Sequence, residues 1–242
     1  MNARELKERL EKEYPYRIEM HAHTTPISPC SEIPPATMAQ IYSDKGYDAV
    51  VIANHFTPDN VGKMPKNEAI DWYYGAVKET EEFAKKTGLK VFLGIEIRFT
   101  ENHNDYLIYG ADRDTLSVCY DYLDRGVQAF REEVDLGESV FLQAHPFRNG
   151  MELCEPRLLD GIETFNMHPH HNSRVAVASR YAKENGFPIQ SAGSDFHHLN
   201  LGHEAVSALR TKVMPENSYD IAKILRSGDY IFEVGESALI LP

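Results

Sequence analysis

Short apolar runs alternate with amphipathic stretches along the chain, the signature of βα units and a parallel sheet. Residues 2–13 read as a helix ahead of a first strand at 17–21. A loop rich in Pro, Ser and Thr covers 24–35; Pro34-Pro35 then opens a helix to about 45, which Gly46 closes. YDAVVIAN (47–54) is a second strand, and a polar loop with Pro58, Gly62 and Pro65 leads to a long helix at about 67–87, ended by Gly88. KVFLGIEIRF (90–99) and DYLIYG (105–110) predict strands three and four, joined by the short polar link TENHN. A helical region follows at about 114–135. SVFLQA (139–144), DGIETFN (160–166) and FPIQSAG (187–193) are strands five to seven, with a helix at 173–185 before the last. A strand near 205–210, a helix near 217–227 and the short strand YIFEV (230–234) complete the pattern. No repeat, low-complexity tract or linker interrupts it, so residues 1–242 read as a single domain.

Five of these strands end in imidazole or carboxylate. The first delivers His21 and His23, in IEMHAHT; a pair two apart on a regular strand points to one face, so both rings can reach one ion. Strand two delivers His55, strand three carries Glu96 near its end, strand five delivers His145, and strand seven delivers Asp195 and His197, in SAGSDFH. If the strands close into a parallel barrel, the C-terminal rim gathers all of them. One histidine after a strand is ordinarily a solvated loop residue, and a lone HxH is a weak signal; five strand ends together are a strong one. Glu96 sits inside the apolar run GIEI, where a carboxylate must be paired, metal-bound or exposed. Nitrogen and oxygen donors without a required thiolate suit Zn, Mn or Fe.

Composition narrows the function classes. The 242 residues match the length of one α/β barrel, and 42% hydrophobic residues is ordinary for a globular chain. No apolar run approaches a membrane span and no secretory signal is visible, so a cytoplasmic location is the default expectation. A formal charge of −12 argues against long nucleic acid as a partner, though bound cations would reverse the sign locally for a small phosphorylated substrate. Cys30, Cys119 and Cys154 form no CxxC pair, which excludes a Zn–thiolate framework of that type and makes a disulfide scaffold unexpected. The sequence does not indicate an oligomeric state.

The motifs resemble those of the PHP family, named for polymerase and histidinol phosphatase domains. EMHAHT, VVIANHF, GIEIRF, QAHPFR and AGSDFHH match its motifs in order over nearly the whole chain. The resemblance implies a distorted (β/α)7 TIM-like barrel with two or three divalent ions in its mouth. It implies metal-dependent phosphoesterase activity, commonly on phosphomonoesters. Position by position, His21, His23, Glu96, His145, Asp195 and His197 match metal ligands, and His55 matches the histidine of the second motif. Three positions depart. TTPISPCSE after the HxH lacks the usual Asp or His, leaving Cys30 or Glu32 as substitutes; Asn54 replaces Asp before His55; and Asp105, with His103 two residues earlier, stands where many members carry a ligand histidine. These departures bear on a third ion more than on the first two.

A metal-activated hydroxide attacking phosphorus in line is the expected mechanism, with Asp195, His197 and Arg148 as catalytic residues. Arg148 is the best phosphate clamp because its planar fork matches phosphate oxygens, and Arg98 is the second. His168, His170 and His171, in NMHPHHN, read first as a surface loop and second as substrate-lining, with His170 the substrate-binding candidate. His198 and His203 are expected outside the ligand set, and Trp72, Tyr73 and Tyr74 are expected to pack. Two other readings compete. An amidohydrolase-like C–N or ester hydrolase also uses HxH, but ordinarily with a lone late Asp and a carboxylated Lys. A non-catalytic metal-binding domain is disfavoured by the nearly full ligand set.

Overall fold

The structure is a computed structural model and describes residues 2–200, 204, 206–235 and 238–242; His203 lies outside the described residues. The first half runs α1 (Ala3–Glu13), β1 (Tyr16–Ala22), α2 (Pro35–Asp44), β2 (Ala49–Ile52), β3 (His55–Phe56), α3 (Lys66–Ala84), β4 (Lys90–Leu93), β5 (Ile95–Arg98) and β6 (Asp105–Tyr109). The second runs α4 (Arg113–Tyr122), α5 (Gly126–Glu133), β7 (Val140–Gln143), β8 (Gly161–Asn166), α6 (Val175–Glu184), β9 (Ile189–Gly193), β10 (Ser207–Thr211), α7 (Ser218–Ser227), β11 (Tyr230–Val234) and β12 (Ala238–Ile240). None of the described helices is long and apolar enough to cross a membrane.

Two mixed six-stranded sheets carry the fold, in the orders β12-β11-β10-β1-β2-β4 and β3-β5-β6-β7-β8-β9. The strand expected at 90–99 contributes to both, and the one expected at 47–54 supplies β2 to the first and runs on past its expected end into β3 of the second. The 47–54 run breaks after Ile52, the 90–99 run at Gly94, where a Cβ would come within 2.6 Å of Val51 Cγ1. Backbone bonds continue across both breaks, from Gly94 N to Ile52 O at 3.0 Å and from Glu96 N to Asn54 O at 3.1 Å. The hydroxyl of buried Tyr73 holds this crossing point, 2.6 Å from Asn54 O and 3.0 Å from Gly94 O. At the far edge of the second sheet, Phe196 bridges Ala22 in the parallel sense, with His23 N donating to Phe196 O at 3.1 Å. The end of β9 therefore meets the end of β1.

The expectation of an all-parallel sheet is corrected. β6 is antiparallel to both β5 and β7, and β10, β11 and β12 are antiparallel to their neighbours. The reason is chain length: Phe99–Asn104 is too short for a parallel crossover, which takes a dozen residues or more, so β5 and β6 must form a hairpin. The helical region expected at 114–135 is two helices. Asp112 caps the first through a bond from Thr115 N (2.9 Å), and Glu101 accepts from Val127 N at the start of the second (3.1 Å).

The strands are buried on both faces. Alternate residues divide between two apolar clusters: Val50, Ile52, Ile108 and Phe141 pack in the larger one with α2, α3 and α4, whereas Val51, Leu107, Leu142 and Leu209 form the second with α7. This two-sided burial explains the near-continuous apolar runs. Polar ligand candidates begin where the second cluster stops.

Candidate metal centre

Each candidate reaches the site from a strand end. His21 is in β1 and His23 follows it; His55 opens β3; Glu96 is in β5; His145 lies two residues past β7, and Asp195 two past β9. Because β6 runs antiparallel, it brings its first residue, Asp105, to the same end. His145 and Asp195 have φ of 28° and 51°, left-handed backbone that a non-glycine residue adopts at a cost of about 1–3 kcal/mol. The amide of His145 is held there by Glu163 Oε2 at 3.0 Å.

Glu96 is at the centre. Its Oε1 lies 3.3 Å from His21 Nε2 and 3.2 Å from His145 Nε2; its Oε2 lies 2.7 Å from His55 Nδ1 and 3.5 Å from His23 Nε2. Asp195 Oδ1 is 3.2 Å from His23 Nε2, 3.7 Å from His21 Nε2 and 3.3 Å from His197 Nδ1. His21, His23 and Glu96 are fully buried and Asp195 nearly so. Among the described residues, three overlapping groups have donor atoms within 4.8 Å of one another: His21, His23 and Glu96; His23, His55 and His197; and His55, Glu96 and Asp105. Glu96, shared by two of them, is positioned to bridge.

Of these short approaches to Glu96, that of His145 Nε2 to Oε1 is a hydrogen bond, and most of the others are not. His21 Nε2, His23 Nε2, His55 Nδ1, His145 Nδ1 and Glu96 Oε2 are buried atoms with no hydrogen-bond partner. The 2.7 Å approach of His55 to Glu96 is close but lacks hydrogen-bond geometry. A buried polar atom without a partner costs about 1–3 kcal/mol, and several at one point require a common explanation. A divalent cation supplies it, and imidazole with carboxylate is a donor set that suits Zn, Mn or Fe. The residues fit a metal cluster.

The electrostatics point the same way. Burial pushes the His21 imidazolium toward neutrality, but Glu163, Glu96 and Asp195 outweigh it and hold its pKa well above the usual range. His55 is likewise raised, burial being outweighed by Glu96. Burial and then the neighbouring His197 and His55 hold His23 well below. Glu96 and Asp195 resist burial and stay well below ordinary carboxylates, the first through His21 and His55, the second through Arg148 and His21. The carboxylates recruit positive charge from whatever is nearest.

Arg148 donates to Asn166 Oδ1 at 2.8 Å and to Asp195, while Arg98 forms a two-pronged pair with Asp105, 2.8 Å on each arm. Both border a cavity of about 380 Å³ above the cluster, with His55 and His197 in its floor. In NMHPHHN, His170 and His171 are exposed, as a surface loop requires, whereas His168 is only 8% exposed; all three line this cavity. His170 does not touch the cluster; its amide donates to His168 Nδ1 at 3.2 Å. His198 also borders the cavity. Of the two substitutes proposed after the HxH, Cys30 lies 3.2 Å from His55 Nε2, whereas Glu32 turns outward and accepts from Leu199 N at 2.7 Å. Burial raises the Cys30 thiol, but hydrogen bonds from His197 and His55 bring it down to about 6. His103 is exposed in the β5–β6 link and away from the cluster.

Four supporting residues escaped the sequence reading. Glu163 accepts from His21 Nδ1 at 2.8 Å, and Asn166 donates to Glu163 at 3.0 Å and to Asp195 at 3.2 Å. Glu19 ties the amides of His21 and Ser194, each at 2.9 Å, so one carboxylate joins the strands carrying the first and last motifs. Burial lifts its pKa to about 7 against the bonds from Ser194 and His21. Ser28 contacts His23 Nδ1 at 3.1 Å. The signal that marked Glu96, a carboxylate inside an apolar strand, was equally present at Glu19 (RIEM) and Glu163 (GIETF).

No family model matches the chain, and no curated protein matches it. Solved structures do. PsfC from Pseudomonas syringae PB-5123 superposes with a TM-score of 0.59 at 12% identity, covering 94% of this chain and 91% of that one. A two-domain protein from Bacteroides vulgatus, containing a predicted PHP-like metal-dependent phosphoesterase, superposes with a TM-score of 0.57 at 15% identity over 91% of this chain. The chain spans 65% of that protein's length. At such identities the likeness is one of fold, and it supports the resemblance to the PHP family that the five motifs carry.

Proposed function

We propose that the chain is a metal-dependent phosphoesterase acting on a small phosphomonoester, and that residues 1–242 form one domain with a distorted seven-stranded barrel. The junction of β9 with β1 through Phe196 and Ala22 supports the barrel. The observation that carries the function is the convergence of donor atoms from His21, His23, His55 and Glu96, each with a buried atom lacking a hydrogen-bond partner, beside an arginine-bordered cavity. Those residues, with Asp195 and His197, would hold two or three ions of Zn, Mn or Fe, and Asp105 is a further donor. Divalent ions bound there supply Lewis acidity toward phosphoryl oxygens and lower the pKa of water.

The protein's own groups do the rest. Arg148 offers a guanidinium fixed by Asn166 and Asp195, with an unpartnered Nε, as a clamp on phosphoryl oxygens. Arg98 also borders the cavity, held by its pair with Asp105. Asp195 and His197 border the cavity and would serve the reaction as ligands of the ions that activate water. His168, His170 and His171 form a polar wall that suits an anionic substrate, and the cavity volume suits a small one. The net charge of −12 disfavours long nucleic acid.

The test is metal content and hydrolysis of an aryl phosphate on one purified sample, with and without chelator. Two or three equivalents of metal with chelator-sensitive hydrolysis supports the reading. Metal without phosphatase activity redirects it to amide or lactone substrates, and no metal after supplementation rejects the cluster.

A further inference from the structure

Beyond the nitrogen and oxygen donors, a thiol, that of Cys30, lines the same cavity. Cys30 Sγ lies 3.2 Å from His55 Nε2 and lines the cavity together with His55 and His197. His55 and His197 belong, with His23, to one of the three groups of converging donor atoms. His23, which this group shares with the one around Glu96, is fully buried and its Nε2 has no hydrogen-bond partner, so the unmet demand extends to this group.

The loop holds Cys30 from both sides. Before it, Ser28 Oγ accepts from His55 N at 3.0 Å and contacts His23 Nδ1 at 3.1 Å. After it, Ser31 Oγ donates to His23 O at 2.8 Å and Glu32 N donates to His197 O at 2.9 Å. The thiol is thus tethered to the histidines it approaches. Glu32, the other donor near this turn, is turned away by its bond from Leu199 N.

We propose that Cys30 is a thiolate ligand of an ion shared with His55 and His197, giving the cluster one sulfur position among nitrogen and oxygen donors. The inference rests on the metal-cluster reading above. On binding, the S–H bond breaks, a sulfur–metal bond forms and the proton leaves to solvent. A thiolate beside imidazoles selects Zn, Co or Cd over Mn at that position, while the groups around Glu96 retain the preference of carboxylate and imidazole.

Cys30 is exposed, whereas Cys119 and Cys154 are buried, so metal-free protein should show one fast thiol toward iodoacetamide. Saturating Zn should slow that alkylation by roughly an order of magnitude or more, because the metal-held thiolate is no longer a free nucleophile. The Co(II)-loaded protein should show sulfur-to-cobalt charge-transfer absorption in the near ultraviolet, and Cys30→Ser should lose it while keeping cobalt at the Glu96 groups. Bound cobalt without that absorption, together with alkylation at the metal-free rate, would overturn the proposal. If chelator-sensitive hydrolysis persists in such a sample, only the sulfur ligand is rejected. If the wild type takes up no metal, both readings are rejected together.

Discussion

Glu163→Gln tests whether the cluster depends on the carboxylate beneath it. Glu163 receives three donors: His21 Nδ1 at 2.8 Å on Oε1, and His145 N at 3.0 Å and Asn166 Nδ2 at 3.0 Å on Oε2. A glutamine must turn its NH2 toward one side. Facing Oε2's partners, it meets the amide of His145 and the amide nitrogen of Asn166. Asn166 cannot flip to accommodate it, because its Oδ1 already accepts from Arg148, His168 N and Ser173 Oγ. Leaving one buried donor unpaired costs about 1–3 kcal/mol. Facing His21 instead, the NH2 forces the ring to carry its proton on Nε2, the atom aimed at Glu96, and a protonated nitrogen cannot ligate. Removing a carboxylate behind a ligating histidine typically lowers metal affinity about 10–100-fold, or about 1.4–2.8 kcal/mol. Competition against a chromophoric chelator measures the affinity, and thermal melts of the metal-free variant measure the packing cost. Wild-type affinity together with an unchanged melt would refute the reasoning, since no orientation of the amide satisfies all three donors.

Other expectations follow from separate parts of the structure. Arg148→Ala should retain metal but lower kcat/KM for phosphate esters about 10–100-fold, the worth of a charge-assisted bond of about 1.5–3 kcal/mol; unchanged steady-state kinetics would reject the clamp. Gly193→Ala should destabilise by about 1–3 kcal/mol in urea melts and weaken metal binding, because a Cβ there overlaps that of His21 and meets Glu163 Oε1 at 3.0 Å. Gly75→Ala, in the middle of α3 with nothing within 4 Å of the added carbon, should stabilise by about 0.5–1 kcal/mol in the same assay. Asp112→Ala should cost about 1 kcal/mol at neutral pH through the lost cap of α4. Burial raises the Asp112 carboxyl, but bonds from Thr115 and Tyr219 outweigh it, so its contribution is present above the ordinary carboxylate range and fades as pH falls through the lowered value. Melts from pH 7 downward should therefore show the wild-type advantage shrinking in acid.

Much of the architecture was legible in the chain because local patterning dictates it. Two-sided burial writes strands as apolar runs, and helix stripes, Pro34-Pro35 and the glycines after helices mark the rest, so most elements lie within a few residues of expectation. The ligand candidates were legible for a related reason: a histidine or carboxylate ending an apolar strand is conspicuous, and Glu96 inside GIEI most of all. What the chain's pattern did not convey depends on partners distant in sequence. Strand direction was overlooked at β6, although the six-residue link already excluded a parallel crossover. The division of two strands between sheets, at Ile52 and Gly94, arises from contact with Val51 and Tyr73 and has no local mark beyond a glycine. Glu19 and Glu163 acquire their roles only when β1 meets β9 and β8 brings its carboxylate under His21, since a positioning bond is defined by its acceptor's place in space. Residue types thus determined which atoms can donate to a metal. Packing of remote strands decided which of those atoms converge, which are left without hydrogen-bond partners, and that Cys30 rather than Glu32 faces them.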